Sequence, residues 1–292
     1  VPHAFGASSY SENGYAVAQG VPESHTVGAL FEHYFRAPVR TYATGASLGG
    51  LVALQLAETY PARYDGALLA CGPVAGSLPQ LAYVADVETM FRYLYPGALP
   101  GSVAEPVDLP YGDPAAPGDP DDPGYEPTIV GEIVAAISQD PTGLADLARV
   151  EVDRAGVRRG LLQADPSDPA THLPALLEAM YYAGVGKADI LARGAGSPFD
   201  NQGASYLLDG APLPDVPRYE ADPAAVAYYA DHDLPTGDLQ VPTVTLHNRF
   251  DPVVPAWHES DYAARVATSG GADELLTVIV PLEGVPTGTD PF

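Results

Sequence analysis

Gly45-Ala46-Ser47-Leu48-Gly49-Gly50 is the stretch whose residue types and spacing point most directly to chemistry. A serine with glycine two positions before and two after it suits a strand-to-helix turn so sharp that the serine backbone is strained, the glycines removing side chains that would clash. Such a turn stands the Ser47 hydroxyl at a helix N-terminus. It also leaves the Leu48 N–H free to receive the negative charge that develops on an attacked carbonyl oxygen. A hydroxyl is a weak nucleophile until a base takes its proton, and the base in turn needs a carboxylate to orient it. The second stretch, His247-Asn248-Arg249-Phe250-Asp251-Pro252, places Asp251 on a loop after an apolar run, where such an acid belongs in this chain order. Asp-Pro also forms ordinary turns, and that reading stays open.

His258 and His247 are the candidate bases, the first near the start of a predicted helix seven residues past Asp251, the second at the end of a predicted strand beside the acid loop. His232 lies between Asp231 and Asp233, whose charges favour its protonated form. His3, His25, His33 and His172 have no chemical partner in sequence. Asp119, Asp121, Asp122 and Glu126 offer oxygen ligands of the kind Ca²⁺ takes, but their spacing lacks the glycine and terminal glutamate of an EF-hand. A solvated acidic loop is the expectation there, with no metal and no cofactor.

The elements that must position these residues follow from hydrophobic pattern. Strands are predicted at 40–44, 65–71, 241–247 and 275–280, with a weaker one at 4–10; helices are predicted at 23–35, 48–60 and 255–268. Strand and helix alternate, which is the signature of a parallel α/β sheet. Residues 77–240 break that rhythm with helical patterns at 78–94, 128–150, 174–193 and 223–230, and with a loop at 106–127 that seven prolines bar from regular structure. The expected organisation is therefore a core of 1–76 and 241–292 carrying an inserted, mostly helical cap at 77–240. Aromatic residues of that insert, among them Phe91, Tyr95, Tyr181, Tyr182 and Tyr229, sit at spacings that suit ordinary helix packing or the lining of an acyl pocket.

Composition bounds the partners. The 292 residues are 46% hydrophobic and 17% charged, so the chain can bury a core. A formal charge of −25 repels phosphate and argues against nucleic acid and anionic lipid. No apolar run approaches the roughly 18 residues of a membrane helix. Lys187 is the only lysine, and Cys71 the only cysteine, which removes an intrachain disulfide and a Cys-based zinc site.

The runs TYATGASLGGLVAL, YPARYDGALLACGPVAG and PTVTLHNRFDPVVPAWHESDYAARV, with SPFDN and Tyr206 between them, resemble the serine hydrolases of the α/β-hydrolase superfamily. Within it the chain looks most like bacterial esterases with a large helical cap, related to feruloyl esterases and tannases. The resemblance implies an α/β-hydrolase fold and hydrolysis of small or polymeric carboxylic esters through an acyl-enzyme on Ser47, with the Leu48 N–H in the oxyanion hole and Asp251 as acid. Tyr10, Asn201 and Tyr206 are its candidate substrate contacts, and a secreted or periplasmic location is its expected setting. It also implies a catalytic histidine after the last strand, whereas 281–292 hold none, and further strands before 4–10. The expectation is a partial version of a longer enzyme. Two alternatives remain: an impaired homologue that only binds a ligand or partner, and a serine peptidase of the same fold.

Overall fold

The computed structural model describes residues 3–122 and 124–280. The chain begins with α1 (Val17–Tyr34), β1 (Tyr42–Ala46), α2 (Leu48–Thr59), β2 (Gly66–Ala70) and α3 (Ser77–Leu94). It continues through α4 (Ile129–Gln139), α5 (Pro141–Leu147), β3 (Val150–Arg154), β4 (Val157–Gly160), α6 (His172–Tyr181) and α7 (Lys187–Gly194). The remaining elements are β5 (Ala204–Leu208), β6 (Ala211–Pro212), α8 (Pro223–Asp233), β7 (Thr243–Asn248), α9 (Trp257–Ser269) and β8 (Leu275–Val280). Two compact units result: one of residues 3–77, 229–249 and 254–280, the other of 78–228 and 250–253. Among the described residues no helix is long and apolar enough to cross a membrane.

The first unit is a parallel sheet in the order β1-β2-β7-β8. Alternation along the strands sends Ala43, Leu69, Thr245 and His247 to one face, where they are buried. The apolar stripe of α2, with Leu51, Val52 and Leu54 buried, and that of α9, with Tyr262 and Val266 buried, belong to the same core. The other face is apolar and open. Tyr42, Leu68, Leu246, Leu276 and Val278 are exposed on it, and the registers Thr44↔Leu68, Leu68↔Val244 and Leu246↔Val278 set them side by side. Parallel sheets are ordinarily covered on both faces; among the described residues this face has no cover.

Residues 4–10, expected as a strand, are irregular. The local polar groups explain it: Ser8 Oγ accepts the Tyr10 N–H (3.1 Å), Glu23 accepts the Ser11 N–H (2.9 Å), and Tyr10 has φ 52°. These bonds offer the backbone a local alternative to a ladder. The helix expected at 23–35 starts six residues earlier, at Val17, and carries Pro22 inside it.

The second unit adds strands to the helices expected of the insert. It contains an antiparallel sheet of order β4-β3-β5-β6. Both hairpins turn on two residues of positive φ, Ala155-Gly156 (54° and 84°) and Asp209-Gly210 (51° and 81°), the geometry that matches the twist of paired strands. The single helix expected over 128–150 breaks at Asp140-Pro141, because proline brings no N–H and disfavours a helical residue before it. Asp140 ends α4 and caps α5, its carboxylate accepting the Thr142 N–H (3.0 Å), while Thr128 Oγ1 caps α4 through the Gly131 N–H (2.9 Å). The helix expected over 174–193 is likewise interrupted, by a π-helical turn at Tyr182–Gly186. The loop 106–127 is irregular apart from one bridge, Asp113↔Ala116. Its carboxylates cap their own turns, Asp119 accepting the Asp121 N–H (2.9 Å) and Asp122 the Gly124 N–H (2.8 Å).

Candidate active site

Ser47 stands between the last residue of β1 and the first of α2 with φ 51° and ψ −129°, a conformation L-residues seldom adopt. Two backbone bonds hold it there. The Ser47 N–H donates to Ala70 O (2.8 Å), and the Gly50 N–H donates to Ser47 O (2.8 Å). The strain is thus imposed by the sheet on one side and the helix on the other, and Ser47 itself is exposed.

The glycines around it divide the work differently from the sequence expectation. A Cβ on Gly45 would lie 2.0 Å from Gly49 O, so no side chain fits there. A Cβ on Gly49 would meet nothing within 4 Å, whereas one on Gly50 would lie 3.0 Å from Gly72 Cα. The two indispensable close approaches are therefore Gly45 to the Gly49 carbonyl and Gly50 to Gly72. Leu48 opens α2, and the first N–H groups of a helix lack intrahelical partners, which suits an oxyanion.

The two candidate bases are buried histidines with their lone pairs engaged. His247 Nδ1 is 2.9 Å from Glu259 Oε1 and its Nε2 is 2.7 Å from Val254 O. A carbonyl oxygen only accepts, so Nε2 carries a proton, and Nδ1 is committed to the glutamate whichever of the two holds the proton between them. His258 Nδ1 accepts the Ala75 N–H (3.2 Å), which puts the proton of the neutral ring on Nε2, and the ring stacks on Trp257 at 4.2 Å. Both side chains are fully buried. Both rings are held by these bonds, and either would have to give one up to take a proton from Ser47.

Asp251 belongs to the second unit. Its carboxylate accepts the Val253 N–H (3.0 Å), an Asx turn of the kind an Asp-Pro pair favours. The turn is pinned to α3, Tyr83 Oη donating to Pro252 O (2.7 Å) and Gln80 Nε2 to Val253 O (2.7 Å).

Two of the candidate substrate contacts, Tyr206 and Asn201, lie in a buried hydrogen-bonded network. Tyr206 and Asn201 are 1% and 0% exposed in the second unit. Tyr206 Oη donates to Asp86, Asn201 Nδ2 donates to Tyr206 Oη (3.0 Å), and Asn201 Oδ1 accepts the Tyr219 N–H (2.7 Å). Arg154 completes the group at 2.8 Å from Asp86. Burial raises the Asp86 carboxyl above its ordinary range, with the Arg154 charge and the bonds from Arg154 and Tyr206 opposing it. Burial next to Asp86 pushes the Tyr206 phenol far up. Buried polar side chains are costly unless bonded, and this network satisfies itself internally. In the first unit, the Tyr10 ring packs against Gly20 of α1. Sequence reasoning missed this network. The Asp209-Gly210 dipeptide, a strong hairpin signal, would have placed Tyr206 on a strand.

Fold and turn together define a class: a mixed α/β chain with a parallel sheet whose first strand runs through a strained serine directly into a helix. Neither a protein-family model nor a curated protein matches the chain. Among solved structures it is similar to the rice cell wall degrading esterase LipA from Xanthomonas oryzae, at 12% identity and TM-score 0.40, covering 96% of this chain and 61% of that one. It is also similar to a thermophilic esterase from Thermogutta terrifontis (13%, TM-score 0.33, 91% and 63%). A third is MGS-M2, an alpha/beta hydrolase enzyme from a Medee basin deep-sea metagenome library (12%, TM-score 0.35, 94% and 69%). The chain thus spans less than two thirds of the length of the first two. At TM-scores below 0.5 these likenesses carry no residue assignment, and the reading below rests on the Ser47 turn.

Proposed function

We propose that the chain is a serine hydrolase of the α/β-hydrolase type that cleaves carboxylic esters through Ser47, with 77–240 as its inserted cap. The observation that carries this reading is the backbone of Ser47, held at φ 51° and ψ −129° between β1 and α2 with no side chain tolerated at Gly45. Such strain persists only where the surroundings over-determine it, and it clusters at sites that use it. In this reading Ser47 Oγ adds to the ester carbonyl, the Leu48 N–H helps hold the oxyanion, and the alcohol leaves with the proton taken from the serine. Water then releases the acid from the acyl-enzyme. Asp251, on the loop after β7, is the acid of this reading, and the base it would orient is the histidine that the resemblance expects after the last strand.

A second reading is favoured by the engaged lone pairs of His247 and His258: a homologue that keeps the serine turn, lacks an effective base and acts by binding. Hydrolysis of p-nitrophenyl butyrate by the chain and by Ser47→Ala separates the two. The hydrolase reading predicts a rate that falls at least about 10³-fold in the variant. Equal rates, indistinguishable from buffer, leave the binding reading. A parallel panel of p-nitroanilides tests the peptidase alternative, which predicts amide cleavage abolished by the same substitution.

A further inference from the structure

The second unit holds a cavity of about 40 Å³ walled by Leu81, Ala85, Val103, Ile190, Leu191 and Phe199, with Glu88 and Lys187 on the same lining. Lys187, the only lysine of the chain, is 8% exposed and bonds Glu88, with Ser102 O a distant second acceptor at 3.5 Å. Glu88 is also paired with Arg92 at 2.9 Å, so two cations share one carboxylate. Arg92 spends its other N–H groups on the carbonyls of Leu99, Pro100 and Gly101. The cluster therefore has a formal charge of +1 beside an apolar cavity, in a chain whose formal charge is −25; burial lowers the Lys187 ammonium from its ordinary value, and Glu88 opposes that shift. An ammonium has three N–H groups, and among the described residues Glu88 and Ser102 account for two of them.

Local structure places this group deliberately. The π-helical turn Tyr182–Gly186 immediately precedes Lys187 and brings Tyr182, Ala183 and Lys187 to the same wall. Turns of this kind are rare, and they concentrate at functional sites. Ser197 also lines the cavity; its Oγ accepts the Phe199 N–H (3.3 Å), and its hydroxyl proton is a second donor.

We propose that this cavity is a binding site for a short-chain monocarboxylate, its carboxylate bonded to Lys187 and Ser197 and its few carbons set among Leu81, Ala85 and Phe199. An excess buried cation selects an anion, and the apolar walls select one with a hydrocarbon end. The volume sets the length: about 40 Å³ is well above the roughly 10–15 Å³ a water needs and well below the roughly 150 Å³ that admits benzene, which suits two or three carbons. The inference is independent of the hydrolase reading, since every lining residue lies in the second unit.

Ligand-observed NMR of the full chain with propionate tests it, using Ser47→Ala as the parent so that no turnover contributes. The site predicts saturable binding, with propionamide and propylamine at least about 10-fold weaker, and a loss of roughly 10- to 100-fold in Lys187→Met. Ala85→Leu leaves the ion pair in place and fills the cavity; it predicts loss of binding with an unchanged circular dichroism spectrum, and it decides the matter if Lys187→Met does not fold. No saturable binding, equal binding of propionamide, or binding that survives Ala85→Leu each overturns the proposal.

Discussion

Replacing Ser47 by glycine and, separately, by alanine turns the strain at the candidate nucleophile into a measured quantity. Both variants remove the hydroxyl, so any difference between them reports backbone conformation. At φ 51° and ψ −129° a residue bearing a Cβ is strained by about 1–3 kcal/mol, and glycine is not. Glycine loses about 0.5–1 kcal/mol more conformational entropy on folding. The difference leaves Ser47→Gly more stable than Ser47→Ala by up to about 2.5 kcal/mol. Trp257, the only tryptophan, lies in α9 of the same unit as Ser47, so its fluorescence in urea follows the unfolding of that unit. Ser47→Gly should have the higher midpoint at the same slope, and both variants should lose ester hydrolysis equally. A midpoint for Ser47→Gly equal to or below that of Ser47→Ala refutes the claim that the turn is strained.

Gly45→Ala must displace the Gly49 carbonyl, which a Cβ would approach to 2.0 Å, and should cost about 3 kcal/mol or more by the same fluorescence assay, whereas Gly49→Ala should cost less than about 1 kcal/mol; similar costs at the two positions contradict the division of labour in the turn. Tyr206→Phe removes the donor to Asp86 and the acceptor of Asn201, and urea unfolding followed by circular dichroism should show a loss of about 1–3 kcal/mol; a neutral result means the network is not closed in solution. Arg154→Met leaves Asp86 buried with Tyr206 and only the weaker influence of Arg218, and should cost about 3–5 kcal/mol near neutral pH. An acid whose folded pKa is raised binds its proton more tightly when folded, so its contribution is fully present below the ordinary value of 3.8 and is lost as pH rises through the folded value. Removing Arg154 raises that value further, so the deficit of Arg154→Met should shrink toward acid pH, and a deficit that grows on acidification contradicts the assignment.

The parallel sheet was legible because β2, β7 and β8 are short apolar runs bounded by turn residues, and because Ser47 sits where a strand pattern meets a helix pattern. The ends of β8 fell where expected, at Leu275–Val280, and those of the other strands shifted by one or two residues: the strand expected at 40–44 runs instead over Tyr42–Ala46, since its pairing partner Gly66–Ala70 fixes the register. The second sheet was not legible to a helical reading of 128–150, because Val150 and Val152 continue the apolar count of α5 and only Ala148 and Arg149 separate that helix from β3. Nor could sequence distinguish a buried histidine with both nitrogens engaged from a free base. His247 depends on Glu259 one helix later and on the carbonyl of Val254, and neither bond leaves a trace in local spacing. The Lys187–Glu88–Arg92 cluster joins residues 99 positions apart, and its one sequence signal was that the chain has a single lysine at all.

The most direct test of the central claim is covalent capture of Ser47 by a fluorophosphonate, read by intact mass and peptide mapping. The account predicts one adduct per chain, located on the peptide containing Ser47 and absent from Ser47→Ala. An unmodified chain after prolonged exposure, or an adduct that persists in Ser47→Ala, contradicts it.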